Sequence, residues 1–178
     1  MRRILTIYRQ YDIDVMSKSF FKRIAYRAVI FNGNSILMVK SSRFGEIKFP
    51  GGGKEANEKA FDVLSREVME ETGYRIKTKI KPFFSAIEYG RDYKGEVELF
   101  IQESKYYLCS IYERQSATSY FGYEIEYGYQ PIWITLEEAI KNNELIAAND
   151  KIPWLERDTK MLKILLEQRR KNENKSIH

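Results

Sequence analysis

Hydrophobic positions alternate or recur with helical spacing along most of the chain, and short polar turns separate these segments. Arg23 to Phe31 reads as a strand, Asn32-Gly33-Asn34 as a tight turn, and Ser35 to Lys40 as the returning strand of a hairpin. Apolar residues with helical periodicity run from Asn57 to Thr72, where Asn57 is the expected N-cap and Gly73 the expected end of the helix.

Later segments mix strands and helices in the same way. The remaining predicted elements are β-rich segments at about 74–80, 82–89 and 96–110, a polar tyrosine-rich loop from 112 to 130, a strand at 132–134, a helix capped by Thr135, and a last amphipathic helix at about 154–171. Strands mixed with three helices, without regular βαβ alternation, predict an α/β sandwich with a mixed sheet.

Composition narrows the class of protein and the available chemistry. The 178 residues are 43% hydrophobic and 31% charged, which predicts one globular domain over residues 1–178, with 1–20 as an N-terminal extension. There is no apolar run of roughly 18 residues and no signal-peptide pattern, so neither a membrane span nor secretion is expected. Cys109 is the only cysteine, which fits a cytoplasmic protein, and His178 is the only histidine. Catalytic triads and zinc sites that need an internal histidine are therefore not expected.

Charge is unevenly spread along the chain. Residues 1–27 hold seven Lys or Arg against two Asp, and residues 155–178 hold seven Lys or Arg against four Asp or Glu. Basic ends can attract a polyanion, but scattered lysines usually serve only to solvate a surface, so nucleic-acid binding is not expected.

Glutamates crowd one side of the helix predicted at 57–72. At about 100° per residue, Glu71 falls inside the apolar sector around Leu64 and Val68, Glu67 lies at its edge, and Glu70 lies further round. Such like-charge neighbours cost an isolated helix ~0.2–0.5 kcal/mol per pair, and a divalent ion among them would remove the repulsion. Oxygen ligands without His or Cys favour Mg²⁺ or Mn²⁺. The alternative for the glutamates alone is a solvated helix face.

The spacing of the whole stretch decides between these alternatives. Gly52 is followed after five residues by Glu58, and after seven more by Arg66-Glu67-Val68-Met69-Glu70-Glu71-Thr72-Gly73-Tyr74. This stretch resembles the signature of the Nudix hydrolases, the MutT-type family, and matches all nine of its specified positions. Similar proteins also show a hairpin like 24–40, an entry like Phe49 to Gly52 and a late segment like Trp133 to Ala139. Residues 1–20 and those beyond about 155 are less clearly shared.

The resemblance implies a Nudix-type α/β/α sandwich and Mg²⁺- or Mn²⁺-dependent hydrolysis of a nucleoside diphosphate linked to another group. Transferred to this sequence, it makes Glu67, Glu70 and Glu71 metal ligands, assisted by the carbonyl of Gly51 or Gly52. It makes Glu58 an outer ligand or a helix-capping carboxylate, and it makes Arg66 the partner that holds a carboxylate in place. The alternatives are that the loop glycines only permit a tight turn, and that Arg66 is an ordinary surface residue.

The general base and the substrate contacts are less sharply indicated. By the resemblance, the base comes from the same helix or from Glu124 or Glu126, while Glu96 and Glu98, expected on one face of a strand, are weaker candidates. The candidate substrate contacts are Lys40, Arg43 and Lys48 for phosphates, and for a nucleobase the aromatic residues of one loop, Tyr120, Phe121, Tyr123, Tyr127 and Tyr129. Tyr89 is a further candidate, because some diadenosine-polyphosphate members of the family that this chain resembles carry a tyrosine well past the signature. Solvated charges and ordinary aromatic packing are the alternatives.

Three functions follow from these expectations. The first is a pyrophosphohydrolase that acts on a small-molecule nucleotide, such as a normal or oxidised nucleoside triphosphate. ADP-ribose and dinucleoside polyphosphates are the alternative substrates. A nucleotide-sensing module on the same fold is second, although no carboxylate of the signature is missing. A nucleic-acid-binding protein that uses the basic ends is third. A homodimer is a further expectation.

Overall fold

The computed structural model describes residues 4–10, 12–92, 94–115, 117–120, 123–146 and 152–175, with the side chains of 113–115, 123 and 124 outside that description. The chain divides into two compact units, Met1–Ile30 with Pro50–Ser119, and Phe31–Phe49 with Tyr120–His178. In the described part of the chain, no helix has both the length and the apolar character that crossing a membrane requires.

The described residues form ten strands and four helices. In chain order they are β1 (Ile4–Tyr8), β2 (Phe20–Val29), β3 (Phe31–Asn32), β4 (Ser35–Ser41), β5 (Ile47–Lys48), α1 (Ala60–Thr72), β6 (Tyr74–Ile76), β7 (Lys81–Gly90), β8 (Leu99–Leu108), β9 (Ile111–Gln115), α2 (Tyr123–Tyr127), β10 (Tyr129–Thr135), α3 (Leu136–Leu145) and α4 (Leu155–Lys175).

A four-stranded mixed sheet forms the centre of the first unit, in the order β1-β7-β8-β2. β1 runs parallel to β7, β7 antiparallel to β8, and β8 parallel to β2. The segment 50–54 extends beside β2, because Tyr26 N–H donates to the Gly52 carbonyl at 2.9 Å and Ala28 N–H donates to the Pro50 carbonyl at 2.8 Å. α1 packs on β2 and β6 through its buried Val63, Leu64 and Val68. The predicted α/β fold with a mixed sheet is confirmed.

The second unit contains the predicted hairpin. β3 and β4 pair antiparallel with Phe31 opposite Ile36, and β10 and β5 also pair antiparallel with β4. α3 packs against α4 and β10, with Leu136 and Ala139 fully buried. As predicted, Thr135 is the N-cap of α3: its hydroxyl accepts a hydrogen bond from Glu138 N–H at 3.2 Å.

Three local predictions are wrong. Asn57 is not the N-cap of α1, because it has a φ of 64° and the helix begins after Lys59, whose N–H donates to the Asp62 carboxylate at 3.0 Å. Asparagine tolerates that left-handed conformation, so the chain turns there before the helix starts. The expected loop at 112–130 contains most of β9 and the short helix α2. Glu96 and Glu98 lie in bends before β8 rather than on a strand.

Candidate active site

A glycine turn in the first unit is fastened to both α1 and β2. Gly51 N–H donates a 2.7 Å hydrogen bond to the Glu71 carboxylate, and the Glu71 residue is only 1% exposed. The Arg27 guanidinium, also buried, donates to the Gly51 carbonyl from the other side. The turn is therefore fixed between a buried anion and a buried cation, each bonded to the same peptide residue.

Two of the glycines are required for different steric reasons. Gly51 has a φ of 130°, where a side chain is strained, and a Cβ there would also run into the Tyr26 carbonyl. Gly52 has no such backbone strain, but any Cβ would overlap the carboxylate of Glu67. The absence of a side chain at Gly52 therefore lets the backbone lie directly against the Glu67 carboxylate.

Arg66 organises the remaining carboxylates. Its guanidinium binds Glu58 through two hydrogen bonds of 3.1 Å each, donates to the Glu67 carboxylate at 2.8 Å, and lies 3.5 Å from a carboxylate oxygen of Glu70. The bidentate geometry with Glu58 fixes the plane of the guanidinium, as expected of an arginine–carboxylate fork. Arg66 thus pairs with carboxylates of this group, as predicted, while Glu58 binds Arg66 and the N-cap of α1 is Lys59.

The acids of this group differ in how well their charge is compensated. The hydrogen bonds from Arg66 and then from Glu55 N–H lower the pKa of Glu58. Burial, followed by repulsion from Glu71, raises the pKa of Glu67 in spite of Arg66 and Arg27. The pKa of Arg66 is raised, chiefly by its hydrogen bonds to Glu58. Glu67 thus carries a charge that its protein surroundings only partly stabilise.

The donor atoms suit a hard divalent cation. In the part of the chain that the structure describes, no group of three acidic, histidine or cysteine side chains is arranged to hold a metal ion, and three of the glutamates instead form ion pairs with Arg66. The residues nevertheless fit such an ion, because Glu67 is a half-buried carboxylate whose pKa is raised by burial and by Glu71 in spite of Arg66, and backbone lies against it at Gly52. Carboxylate and carbonyl oxygens are the ligands that Mg²⁺ and Mn²⁺ prefer.

The predicted phosphate-binding residues and the loop glutamates belong to the second unit. Lys48 is 4% exposed, with its ammonium 4.1 Å from the centre of the Tyr129 ring, and Lys40 is half-buried on β4. Arg43 forms an ion pair with Glu126, both well exposed. The side chain of Glu124 lies outside the described residues. Lys48 is thus engaged with Tyr129 and Arg43 with Glu126, and their contact with phosphates stays a prediction.

Tyr89 and Tyr127, two of the predicted aromatic contacts, are likewise engaged in packing. Tyr89 lies on β7 in the first unit and stacks on Tyr8 of β1, with ring centres 5.4 Å apart. In the loop predicted to stack on a base, Tyr127 packs against Phe44 at 5.0 Å and Trp154 at 6.1 Å within the second unit. The side chain of Tyr123 is outside the described residues.

Arg27 is the site residue that sequence reasoning missed. It lies in the otherwise apolar run Ala25 to Ile30, is 8% exposed and binds the Gly51 carbonyl. A buried arginine in the middle of a strand needs a fixed acceptor, because burying an unpaired charge is costly. Its position within that run was the available signal.

Most of the chain is similar to known proteins. Residues 21–157 match the family model described as the NUDIX domain, whereas no curated protein matches the chain. Similar solved structures include a NUDIX hydrolase from Nitrosomonas europaea, with 18% identity over 79% of this chain and 87% of that one and a TM-score of 0.49. Others are a MutT NUDIX hydrolase from Burkholderia pseudomallei, with 19% identity over 66% and 85% and a TM-score of 0.48, and an ADP-ribose pyrophosphatase from Streptococcus suis, with 18% identity over 65% and 75% and a TM-score of 0.43.

Proposed function

The chain belongs to the Nudix hydrolase family, since the NUDIX domain matches residues 21–157, and it is a pyrophosphohydrolase; from this premise we propose that it cleaves a nucleoside triphosphate, normal or oxidised, with Mg²⁺ or Mn²⁺. The family match covers parts of both compact units, which supports the proposal that 1–178 act as a single domain. A homodimer and a base from Glu124 or Glu126 stay predictions.

The observation that carries the proposal is the Glu67 carboxylate between the Gly52 backbone and Arg66. We assign metal binding to Glu67, Glu70 and Glu71 with the carbonyl oxygen of Gly51 or Gly52. A divalent ion bound there would neutralise the pyrophosphate and lower the pKa of a bound water.

The protein's own residues supply the order in this site. Glu71 holds Gly51 through the 2.7 Å hydrogen bond, so the glycine turn keeps its position relative to α1. Arg66, fixed by its two bonds to Glu58, keeps Glu67 and Glu70 on one side of the helix. Such support of ligand side chains is commonly needed for metal affinity and activity.

The test is hydrolysis by the purified full chain of nucleoside triphosphates, ADP-ribose and dinucleoside polyphosphates, with Mg²⁺ or Mn²⁺ and scored by released phosphate or pyrophosphate. We expect turnover of at least one nucleoside triphosphate, abolished by a chelator and not restored by Zn²⁺ alone. Glu70→Gln should lower that turnover by two or more orders of magnitude, while Glu137→Gln, an exposed acid on α3, should not.

Each contrary outcome has a distinct meaning. Chelator-resistant turnover contradicts the metal proposal. Turnover confined to ADP-ribose or dinucleoside polyphosphates contradicts the triphosphate proposal but keeps the reaction class. Nucleotide binding without turnover of any compound favours the sensing module.

A further inference from the structure

A cavity of about 430 Å³ lies in the first unit at the Phe20 end of β2. Its lining includes Phe21 and Arg23 of β2, Phe100 of β8, and Asp92, Lys94 and Glu96 from the connection between β7 and β8. The volume is within the usual range of small-molecule sites, roughly 300–1,000 Å³. Apart from Glu96, a weaker candidate for the general base, none of these residues was predicted to belong to a site.

Two phenylalanines give this cavity an aromatic wall. Phe21 lies opposite Phe100 in the parallel pairing of β2 and β8, and their rings stack with centres 6.0 Å apart and planes 25° from parallel. Phe21 is 54% exposed, so much of its ring is open to solvent at the edge of the cavity. A flat heteroaromatic ring can stack on the exposed ring of Phe21, because every nucleobase can stack on an aromatic side chain.

The charges around the wall favour a neutral ring over a polyanion. Arg23 and Lys94 bring two positive charges, and Asp92 and Glu96 bring two negative ones. A binding site for phosphates normally carries an excess of cations or backbone N–H donors. A ring with both hydrogen-bond donors and acceptors on its edge fits a balanced set, because each charge can meet an atom of the opposite character.

The cavity is joined to the glutamate site by Arg23. The Arg23 guanidinium lies against Gly53, where a Cβ would come within 2.7 Å of Nη2, and Gly53 directly follows the glycine that abuts Glu67. Gly53 pairs with Ala25 of β2, so the glycine turn and Phe21 lie along the same strand. At about 3.3 Å per residue, four residues of β2 separate the two by about 13 Å, which an extended nucleoside polyphosphate can bridge.

We infer that this cavity binds the nucleobase of the substrate, with the base stacked on Phe21 and its edge facing Arg23 and the acidic side chains. The inference rests on the proposed function, which places the pyrophosphate at the glutamates. It extends that function, because it assigns base recognition to residues of the β2–β8 sheet instead of the tyrosine-rich segment at 120–129.

The experiment compares substrates with and without a base in the full-length protein. Phe21→Ala should raise KM for a nucleoside triphosphate about tenfold and leave kcat/KM for inorganic tripolyphosphate within twofold of wild type. The matched control is Phe20→Ala, since Phe20 is 52% exposed and points to the opposite face of β2 by strand alternation. The control should change neither substrate's constants.

A second measurement separates this inference from the proposed function. Calorimetric titration with guanosine and adenosine monophosphates needs no turnover, and binding by wild type and Phe20→Ala but not by Phe21→Ala supports the cavity even if nothing is hydrolysed. The inference is overturned if Phe21→Ala keeps the wild-type KM for the triphosphate, or if it impairs tripolyphosphate equally. It is also overturned if wild type neither hydrolyses a nucleotide nor binds either monophosphate.

Discussion

Replacing Glu67 with glutamine separates the chemistry of the candidate site from its stability. The change keeps the shape of the side chain and leaves an oxygen that can still accept the 2.8 Å hydrogen bond from Arg66. It removes one negative charge from a half-buried carboxylate whose ionised form is disfavoured by burial and by Glu71. If Glu67 is a metal ligand, the site loses a charge that the ion needs, whereas the fold loses almost nothing.

The expected magnitudes follow from these contacts. Relief of the repulsion between positions 67 and 71, four residues apart on α1, is worth ~0.2–0.5 kcal/mol, and the weaker hydrogen bond to Arg66 offsets part of it. Because Arg66 keeps its two bonds to Glu58, the unfolding free energy should stay within about 0.5 kcal/mol of wild type, a change of about 2 °C or less in Tm. Turnover should fall at least a hundredfold, about 2.7 kcal/mol of transition-state stabilisation.

The assay is a pair of measurements on wild type, Glu67→Gln and the control Glu137→Gln. Thermal melts in chelator and in Mg²⁺ report stability and metal binding, and initial rates on a nucleoside triphosphate report turnover. We expect Mg²⁺ to raise the Tm of wild type and of the control, but to raise that of Glu67→Gln much less, since only an ion that binds the folded state stabilises it. Near wild-type turnover together with an undiminished Mg²⁺ shift would refute the assignment of Glu67 as a ligand.

Three further predictions concern steric fit, burial and capping. Gly52→Ala should destabilise the fold by about 1–3 kcal/mol and lower turnover, because its Cβ displaces the Glu67 carboxylate; unchanged melting and rates would contradict the close contact. Burial raises the pKa of the Cys109 thiol to about 12. Cys109 should therefore react far more slowly with a maleimide at pH 8 in the native protein than in urea, and equal rates would show that the thiol is accessible. The pKa of Glu138 is lowered by the Thr135 hydroxyl and N–H, so its stabilisation is present above the ordinary value of 4.5 and is lost as the pH falls through the lowered pKa. Glu138→Gln should therefore melt below wild type at pH 7, with the difference closing below pH 4.5, and a constant difference at all pH values would contradict this.

Local signals predicted most elements but not their ends. The turn at 32–34 and the glycine at 73 act through their own backbone conformations, so the hairpin and the end of α1 could be read directly; Gly73 has a φ of 72°. The start of α1 depends on whether Asn57 or Lys59 precedes the first helical turn, a choice between two nearby polar residues that only the bond from Lys59 N–H to Asp62 resolves. Strand β1 carried no signal of its own, because its pairing with β7 joins residues about 80 positions apart.

The site residues that the sequence predicted depend on local spacing, and the one it missed depends on strand pairing. Glu67, Glu70, Glu71 and Arg66 lie on one helix, where periodicity alone fixes their relative directions. Arg27 depends on the pairing of β2 with the glycine segment, which no periodicity encodes.

Substrate recognition is the step for which local sequence reasoning has least power. Lysines such as Lys48 and loop aromatics such as Tyr127 were candidates by residue type, and the structure places Lys48 buried over Tyr129 and Tyr127 against Phe44 and Trp154. Phe21, in contrast, precedes the strand predicted from Arg23 to Phe31 and gave no signal; in the structure it is exposed near the start of β2, where its ring stacks on Phe100. A binding wall of this kind arises from the register between two strands whose paired residues, Phe21 and Phe100, are 79 positions apart in the chain. Chemistry confined to one helix can therefore be inferred from spacing, while specificity built across a sheet emerges only once the strands are paired.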